Sequence, residues 1–237
     1  MTDTRTNAFG QPIGFPVEDW TERERPPRTP MAGRYCRLEP LDAERHARDL
    51  FEAYSEAPDE RDWTYLVPQK PTSLMAYRDF LAGESPSEDP LRFAVVDVTS
   101  GTAVGRLALM RIDTLNGVIA VGGIMYSPRL QRKPAGTEAI YLCAQRVFDE
   151  LGYRRFEWKC DSLNAPSRAA AQRYGFTFEG VFRQAMVYHC RNRDTAWYSM
   201  LDSEWPRMRR AFARWLDPDN FDEQGRQRRS LAELRED

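Results

Sequence analysis

The sequence has no long apolar run and no excess of charge of one sign. No stretch of about 18 consecutive apolar residues occurs, so a transmembrane helix is not expected. The N-terminus shows no charged region followed by an apolar stretch, so a signal peptide is not expected either. The 34 basic and 36 acidic residues leave a formal net charge of -2, which argues against bulk attraction to nucleic acid or to an anionic membrane.

Residues that could hold a metal are also few and scattered. The sequence contains four cysteines and two histidines, at Cys36, Cys143, Cys160, Cys190, His46 and His189. No two cysteines form a Cys-x-x-Cys pair and the histidines lie far apart, so we expect no metal site. We interpret the cysteines as ordinary reduced thiols of a cytoplasmic protein.

Proline, charge and length divide the chain into three parts. Residues 1–31 hold five of the sixteen prolines and show no sustained period, which predicts an extended arm that wraps a surface or stays mobile. Residues 32–203 are predicted to form the main domain, and residues 204–237 a basic amphipathic helix with a charged tail. Apolar residues make up 41% of the 237 residues, enough for one substantial core.

Strands and helices are predicted to alternate through the main domain. Strands are predicted over 35–38, 91–98, 103–112, a segment that ends near Tyr126, 155–161, 176–188 and 195–201, the last two joined by a polar turn over 189–194. Helices are predicted over 42–55, a segment capped by Thr72, 140–151 with Gly152 as its end, 164–174 and 205–216. The strand, helix and strand between Tyr126 and residue 161 predict a crossover that joins parallel strands.

One connection within this crossover has the character of an anion-binding loop. The segment Gln131-Arg132-Lys133-Pro134-Ala135-Gly136-Thr137 precedes a helix, whose start exposes N–H groups and the positive end of its dipole. Small residues let a phosphate approach closely, and the basic residues add positive charge. From these residues alone, a phosphate loop and an ordinary helix started by proline are equal alternatives.

Two longer patterns make the sequence recognisable. Residues 126–137 resemble the acetyl-CoA segment of GNAT acetyltransferases, and residues 164–176 resemble the Asn-x-x-Ser…Gly-Phe signature of the RimJ/RimL-like branch, which includes ribosomal-protein N-terminal acetyltransferases. Residues 179–183 and 193–195 also look like that branch, and the resemblance covers roughly residues 33–202. It implies the GNAT fold, an α+β architecture with a strongly twisted mixed sheet of about seven strands, flanked by helices around a central β-α-β acetyl-CoA-binding unit.

The resemblance also implies a reaction, in which an acceptor amine directly attacks the thioester of acetyl-CoA as co-substrate. The two parallel strands should separate at their ends, so that the pantetheine arm enters between them and the pyrophosphate rests on the loop. The cofactor-binding residues implied by the family pattern are Ile124, Met125, Tyr126, Gln131, Arg132, Lys133, Pro134, Ala135, Gly136, Thr137, Asn164 and Ser167. Ser167 would protonate or hydrogen-bond the departing thiolate, and a backbone N–H of the separated strand would stabilise the oxyanion.

The acceptor side is described less fully by the sequence. The acceptor is expected to be a protein N-terminal α-amine or a small-molecule amine, with Trp63, Tyr65 and Tyr188 as candidate contacts. These aromatic residues are equally consistent with a substrate slot and with cover for the core. We expect no membrane or nucleic-acid partner, and a homodimer is left open.

Two residues depart from the family pattern. Pro134 stands where many relatives have their first glycine, which removes one phosphate donor. Met186 stands where one RimL-type pattern has a glutamate proposed as general base, and methionine cannot accept a proton. An α-amino group with a pKa of about 8 is partly neutral at about pH 7.5, unlike a lysine near about 10.4, so the missing base favours a weakly basic amine.

Several alternatives stay open at this stage. Glu157, Asp161 and Asp194 could act as bases through water or be structural charges. The departures from the family pattern are also consistent with a non-catalytic acyl-CoA-binding protein on the same fold. The C-terminal helix could dock on its apolar face or bind ribosomal RNA through its arginines.

Overall fold

The computed structural model describes residues 5–236, so the first four residues of the predicted N-terminal arm and the last residue of the tail lie outside the described residues. The strands are β1 (Arg5–Thr6), β2 (Pro12–Ile13), β3 (Met31–Ala32), β4 (Cys36–Pro40), β5 (Leu91–Asp97), β6 (Ala103–Asp113), β7 (Val118–Tyr126), β8 (Arg155–Asp161), β9 (Thr177–Tyr188) and β10 (Arg191–Leu201). The α-helices are α1 (Ala43–Ser55), α2 (Leu74–Glu84), α3 (Pro134–Gln145), α4 (Ala165–Arg173), α5 (Trp205–Trp215) and α6 (Leu231–Glu236).

Within these residues, eight strands form one mixed sheet in the order β3-β4-β5-β6-β7-β8-β10-β9. Among the strands of residues 5–236, only β7 and β8 pair in parallel, and α3 connects them as a crossover. The predicted α+β architecture with its central β-α-β unit is therefore confirmed. The eighth strand is β3, whose two residues are too few to show a strand period in the sequence.

The ends of several elements follow the predicted cap and turn chemistry. Asp42 caps α1, since its carboxylate accepts the Arg45 N–H at 2.9 Å. Gly152 follows the π-helical turn that extends α3 and has a φ of +65°. Two expectations were wrong by small margins. Ser73, and not Thr72, caps α2, and the last hairpin turns tightly at His189, so residues 191–194 already belong to β10.

The two faces of the sheet pack against different helices. On the face that we call the α3 face, alternate strand residues such as Phe93, Val121 and Trp158 join one core with α3 and α5. On the opposite face, which we call the α1 face, Ala94 and Met125 pack with α1 and α2 in a second cluster. The α3 face is thus covered along most of the sheet, whereas α1 and α2 lie over one half of the other face.

The two terminal segments are attached to this body by specific contacts. The Trp20 indole donates to the Leu115 carbonyl at 2.9 Å, and the Tyr153 hydroxyl donates to the Glu24 carbonyl at 3.0 Å, so the proline-rich arm wraps the surface. The helix α5 buries its apolar side, and Phe212 packs on the Tyr141 ring at 5.5 Å. Of the two alternatives given for this helix, docking on its apolar face is therefore the one that the packing shows. Within residues 5–236 no helix is both long and apolar enough to span a membrane.

Candidate active site

The two parallel strands separate towards their C-terminal ends. In the described chain their pairing ends at Val121 and Trp158. Beyond this pair β7 runs on to Tyr126 beside β6, and β8 runs on to Asp161 beside β10. The separation implied by the family resemblance is therefore present, between the middle strands of the sheet.

A bulge in β7 widens the gap. Gly123 and Ile124 together lie opposite the single residue Leu107 of β6, which is the geometry of a β-bulge. Gly123 has a φ of +56°, a left-handed conformation that glycine adopts without steric cost. The bulge shifts the backbone groups of residues 122–124 relative to the regular ladder, at the place where β8 has moved away.

The gap opens into a cavity of about 550 Å³. On the β8 side its walls include Trp158, Cys160, Asn164 and Ser167, and on the β6 side they include Glu84, Arg92, Arg106 and Ile124. Trp158 and Cys160 belong to the α3 face, whereas their neighbours Lys159 and Asp161 belong to the α1 face and also line the cavity. The cavity therefore connects the two faces through the gap between the strands.

Ser167 is held at the cavity wall by the first turn of α4. Asn164 caps this helix, and its side-chain oxygen accepts the Ser167 N–H at 3.1 Å. The Trp158 indole donates to the Ser167 hydroxyl at 3.0 Å. Because the hydroxyl oxygen accepts this bond, its own proton remains available for another acceptor. Burial raises the pKa of the Cys160 thiol, and its hydrogen bond with Ser167 lowers it in part.

The predicted phosphate loop has unused N–H groups at the start of α3. Arg132 has a φ of +59°, and Pro134 is the first helical residue, as its missing N–H allows. The N–H groups of Arg132 and Ala135 find no backbone acceptor within residues 5–236. Those of Lys133 and Gly136 instead donate to backbone carbonyls of the loop itself.

An arginine that the sequence did not indicate lies beside the same turn. Arg173, near the end of α4, donates to the Thr137 hydroxyl at 3.0 Å and stacks over the Trp215 ring at 4.8 Å. Its guanidinium adds a fixed positive charge next to the positive end of the α3 dipole. The two helices that follow β7 and β8 therefore meet at the predicted phosphate position.

Three other predicted cofactor residues are partly engaged by the protein itself. The Gln131 side chain donates to the Tyr126 carbonyl at 2.9 Å, and the Tyr126 hydroxyl donates to the Gly136 carbonyl at 2.9 Å. The Met125 carbonyl accepts the Tyr54 hydroxyl at 3.2 Å. These bonds fix the end of β7 against the loop. Of the three strand residues predicted to face the cofactor, Ile124 is the one that lines the cavity.

The three aromatic candidates for the acceptor wall have different surroundings. Tyr65 lines the cavity. Trp63 is instead buried in the second core cluster, where its ring meets that of Tyr54 at 6.0 Å. Tyr188 is also buried, and its hydroxyl donates to the Asp161 carboxylate at 2.7 Å. The sequence could not separate these cases, because burial of an aromatic side chain depends on distant elements.

The three carboxylates considered as bases are also distinguished by the fold. Asp161 is 4% exposed and lines the cavity. Glu157 lies four residues earlier on the same face of β8 and pairs with Arg155 at 2.7 Å. Asp194 is bound by the Gln184 N–H and the Asn192 amide, which lower its pKa, and it does not line this cavity. Asp161 alone of the three lies at the site.

A further ionic cluster on the β6 side was missed by the sequence analysis. Glu84, at the end of α2, accepts Arg92 at 2.6 Å and Arg106 at 2.7 Å, and all three line the cavity. One signal for it exists in the sequence, since Arg106 interrupts the otherwise apolar run of β6. A charge inside such a run indicates a paired or functional residue.

Comparisons with known proteins agree with this geometry. Residues 36–177 match the family model described as an acetyltransferase (GNAT) domain. A crystal structure of a GCN5-related N-acetyltransferase from Brucella melitensis is 51% identical, covers 93% of this chain and all of its own, and has a TM-score of 0.91. A GNAT-family acetyltransferase from Chromobacterium violaceum is 39% identical, covers 83% of this chain and 98% of its own, and has a TM-score of 0.76.

Among curated proteins, one from Bacillus subtilis (strain 168) carries the name "Putative ribosomal N-acetyltransferase YdaF". It is 25% identical over 170 residues, which are 71% of this chain and 90% of that protein. The family match, the identity to the Brucella structure and this relative agree with the motifs at residues 126–137 and 164–176. The chain belongs to the GNAT acetyltransferase superfamily, and its similarities support the RimJ/RimL-like branch.

Proposed function

We propose that this protein is an acetyl-CoA-dependent N-acetyltransferase whose acceptor is an α-amine or another weakly basic amine. The observation that carries the proposal is the gap between β7 and β8, which opens into a cavity lined by the Ser167 hydroxyl. Membership of the GNAT superfamily supports acyl transfer in general. The identity of the acyl donor and of the acceptor is what the proposal adds.

The residues around α3 fit the phosphates of acetyl-CoA. The unused N–H groups of Arg132 and Ala135 would hold the pyrophosphate at the helix start. Arg173 adds positive charge beside them. The proline at the first helical position removes one donor, so fewer N–H groups carry this part of the affinity than in relatives with glycine there.

The residues on the β8 side fit the chemistry of the thioester. When bound, acetyl-CoA supplies an activated acetyl group with a thiolate as leaving group. Ser167 is positioned to donate a hydrogen bond from its hydroxyl to that thiolate, because Trp158 holds the oxygen through its indole N–H at 3.0 Å. The proton that finally neutralises the thiolate is the one that the attacking amine loses. The Asn164 oxygen is committed to the helix cap, so its amide nitrogen is the group left to contact the cofactor.

The β-bulge on the other side of the gap suits the developing oxyanion. Residues 122–124 no longer pair with β8, so an N–H group of this segment can stabilise negative charge that forms on the acetyl oxygen. A fixed backbone donor needs no reorganisation during the reaction. This role belongs to the backbone and is therefore insensitive to the side chain of Ile124.

The choice of acceptor follows from the groups available to remove its proton. Met186 lines the cavity where a glutamate base would stand, and it cannot accept a proton. Of the three candidate carboxylates, Asp161 is the one that lines the cavity, and it would accept the proton of the amine through a water molecule. Tyr188 holds one of its oxygens. Such indirect base catalysis suits an amine with a pKa of about 8 better than a lysine side chain.

The proposal is tested with two matched peptides and acetyl-CoA. One peptide has a free N-terminus and no lysine, and the other has a blocked N-terminus and one internal lysine. We expect mass spectrometry to show an added acetyl group on the first peptide and much slower modification of the second. Binding of acetyl-CoA without transfer to any amine would instead indicate an acyl-CoA-binding protein, and absence of both binding and transfer would overturn the proposal.

A further inference from the structure

Two basic side chains on the α1 face line the cavity without an ionic partner. Lys159 of β8 and Arg193 of β10 both contribute to its wall. Within residues 5–236 neither forms an ion pair, and each instead lies near an aromatic ring. The Lys159 ammonium is 5.6 Å from the Trp197 ring, and the Arg193 guanidinium is 5.7 Å from the Tyr188 ring.

Two carboxylates beside these cations on β8 are already engaged elsewhere. Glu157, on the same face of β8, pairs with Arg155 at 2.7 Å and lies 3.9 Å from Arg111. Asp161 accepts the Tyr188 hydroxyl at 2.7 Å and the Leu163 N–H at 2.8 Å. The positive charge of Lys159 and Arg193 is therefore not balanced by a direct ionic contact in the protein.

The two cations also disfavour one another. Burial lowers the pKa of Lys159, and the charges of Arg111 and Arg193 lower it further. Neighbouring cations in a partly buried wall carry an electrostatic cost that an anion bound between them would relieve. Over the whole cavity wall, the basic residues Arg92, Arg106, Lys159 and Arg193 outnumber the acidic residues Glu84 and Asp161.

Buried donors at the same cavity lack acceptors. The Nε–H groups of Arg193 and Arg106 are buried and have no hydrogen-bond partner within the described chain. Arg106 is 6% exposed and lines the cavity. Buried donors are nearly always paired in folded proteins, so these two Nε–H groups are available to an acceptor that enters the cavity.

The position of these cations points to the acceptor and not to the cofactor phosphates. Lys159 lies on the α1 face, one residue from Trp158 and Cys160, which face α3. The unused N–H groups for the phosphates lie at the start of α3 and in the loop before it, and none of residues 131–137 lines the cavity. The cations thus border the part of the cavity that remains for the second substrate.

We propose that the acceptor carries a carboxylate close to its amine, and that Lys159 and Arg193 bind this carboxylate. The inference rests on the proposed acetyltransferase function and specifies the substrate class of that site. Two sources share the required chemistry, namely the α-carboxylate of a free amino acid and an acidic side chain at a peptide N-terminus. Both present an anion a few bonds from a weakly hindered primary amine.

The first experiment compares acids with their neutral counterparts on the unaltered protein. L-methionine is compared with L-methioninamide, and the peptide Asp-Ala-Ala-amide with Asn-Ala-Ala-amide. Each kcat/KM is referred to the concentration of neutral amine, because the amine of a free amino acid is more basic than that of its amide. We expect one acid to exceed its neutral partner in kcat/KM by about 10- to 100-fold, as for loss of a hydrogen bond to a charged group. The pair that shows the preference identifies the source of the carboxylate. Equal turnover within both pairs would overturn the inference and leave the acetyltransferase proposal intact.

The second experiment assigns the preference to the two cations. Lys159→Met and Arg193→Gln should each lower kcat/KM for the preferred acid by about tenfold, mainly through KM, and change its neutral partner by less than about threefold. The matched control is Arg183→Gln, which removes one charge from the exposed side of β9, outside this cavity. Charge reversal by Lys159→Glu should remove the preference for the acid.

Binding measurements separate the inference from its main competitor. Titration calorimetry should give the same acetyl-CoA Kd for both variants as for the unaltered protein, whereas the acid should bind more weakly in the presence of CoA. A weaker acetyl-CoA Kd with an unchanged preference for the acid would assign the cations to the cofactor and overturn the inference. If the variants fail to fold, the acid and amide comparison on the unaltered protein still decides it. Failure to bind acetyl-CoA at all would instead overturn the proposed function.

Discussion

The two faces of the central sheet differ in how far their polar and charged groups are paired. On the α3 face, alternate residues of β4 to β8 and of β10 pack with α3 and α5 into one apolar core. Its buried carboxylate, Glu138, accepts three backbone N–H groups, from Arg34, Tyr35 and Cys36, at 2.6 to 2.7 Å. On the α1 face of β8 and β10, Lys159 and Arg193 remain without an ionic partner among the described residues.

The difference shows that one face of the sheet mainly stabilises the fold, whereas the other face carries the groups suited to bind a ligand. The α3 face satisfies its polar groups, and its one buried acid ties α3 to the strand β4. The α1 face beside the cavity leaves charges and donors unmatched, as expected of a surface that binds a polar ligand. The gap between β7 and β8 is the opening that connects the two faces of the sheet.

The largest effect on stability is expected from Glu138→Ala on the α3 face. The change leaves three N–H donors without their acceptor, so we expect the free energy of unfolding to fall by about 3 kcal/mol. Urea denaturation measures this loss. Glu44→Ala, which removes an exposed carboxylate of α1, is the control and should change stability very little. A Glu138 variant as stable as the parent would contradict the contrast between the faces.

The next effect is expected in turnover, from Ser167→Ala. Loss of the hydroxyl that is aligned by Trp158 should lower kcat by about 30-fold, which corresponds to about 2 kcal/mol of barrier. The acetyl-CoA Kd should stay within about twofold, because the Ser167 N–H, which donates to the capping side chain of Asn164, is retained. Ser203→Ala, at an exposed turn, serves as the control. An unchanged kcat would remove Ser167 from the mechanism.

A smaller effect on turnover is expected from Asp161→Asn. The amide keeps the size of the side chain, its oxygen can still accept the Leu163 N–H, and its NH2 group can donate to the Tyr188 hydroxyl. It cannot accept a proton, so we expect kcat to fall by about tenfold. Burial and the Asp161 contact raise the pKa of Tyr188 to about 12, so Tyr188 stays protonated in assays between about pH 6 and 9.

The pH profile sharpens this prediction. We expect kcat/KM to rise with pH and level off near about pH 8, following the acceptor α-amine in both the parent and the Asp161→Asn variant. A profile whose limb moves when Asp161 is replaced would assign the limb to the enzyme. That result would make Asp161 the titrating base in place of the amine.

The smallest effect is expected from Lys159→Met, and it has the opposite sign to that of Glu138→Ala. Because the pKa of Lys159 is lowered on folding, its charged form disfavours the folded state, and its removal should raise the melting temperature by about 2 °C near neutral pH. The gain is fully present below the lowered pKa and disappears as pH rises from that value towards about 10.4. A lower melting temperature at pH 7 would show that Lys159 supports the fold.

Local sequence patterns predicted much of the α3 face and of the central β-α-β unit. The alternation at residues 155–161, the apolar helix face before Gly152 and the cap at Asn164 depend on neighbouring residues, and all three are present. The predicted single buried face of β8 was incomplete, since Glu157 and Asp161 are buried as well. Their burial requires Arg155 and Tyr188 as partners, and alternation does not reveal such partners.

The cavity could be predicted only in part for the same reason. Asn164 and Ser167 belong to a contiguous motif, and both line the cavity. The Glu84 cluster joins α2, β5 and β6, which are distant in sequence, and no spacing rule links them. The same dependence on distant packing places Trp63 in the core and Tyr65 at the cavity.

The most direct test of the central claim is a thermal melt with and without acetyl-CoA. A ligand at about a hundred times its Kd stabilises the folded state by about 2.7 kcal/mol, which for a chain of this size is a rise of roughly 5 to 11 °C. We expect such a rise with acetyl-CoA. An unchanged melting temperature at millimolar acetyl-CoA would mean that the gap between β7 and β8 does not hold the cofactor, and it would contradict the proposed function.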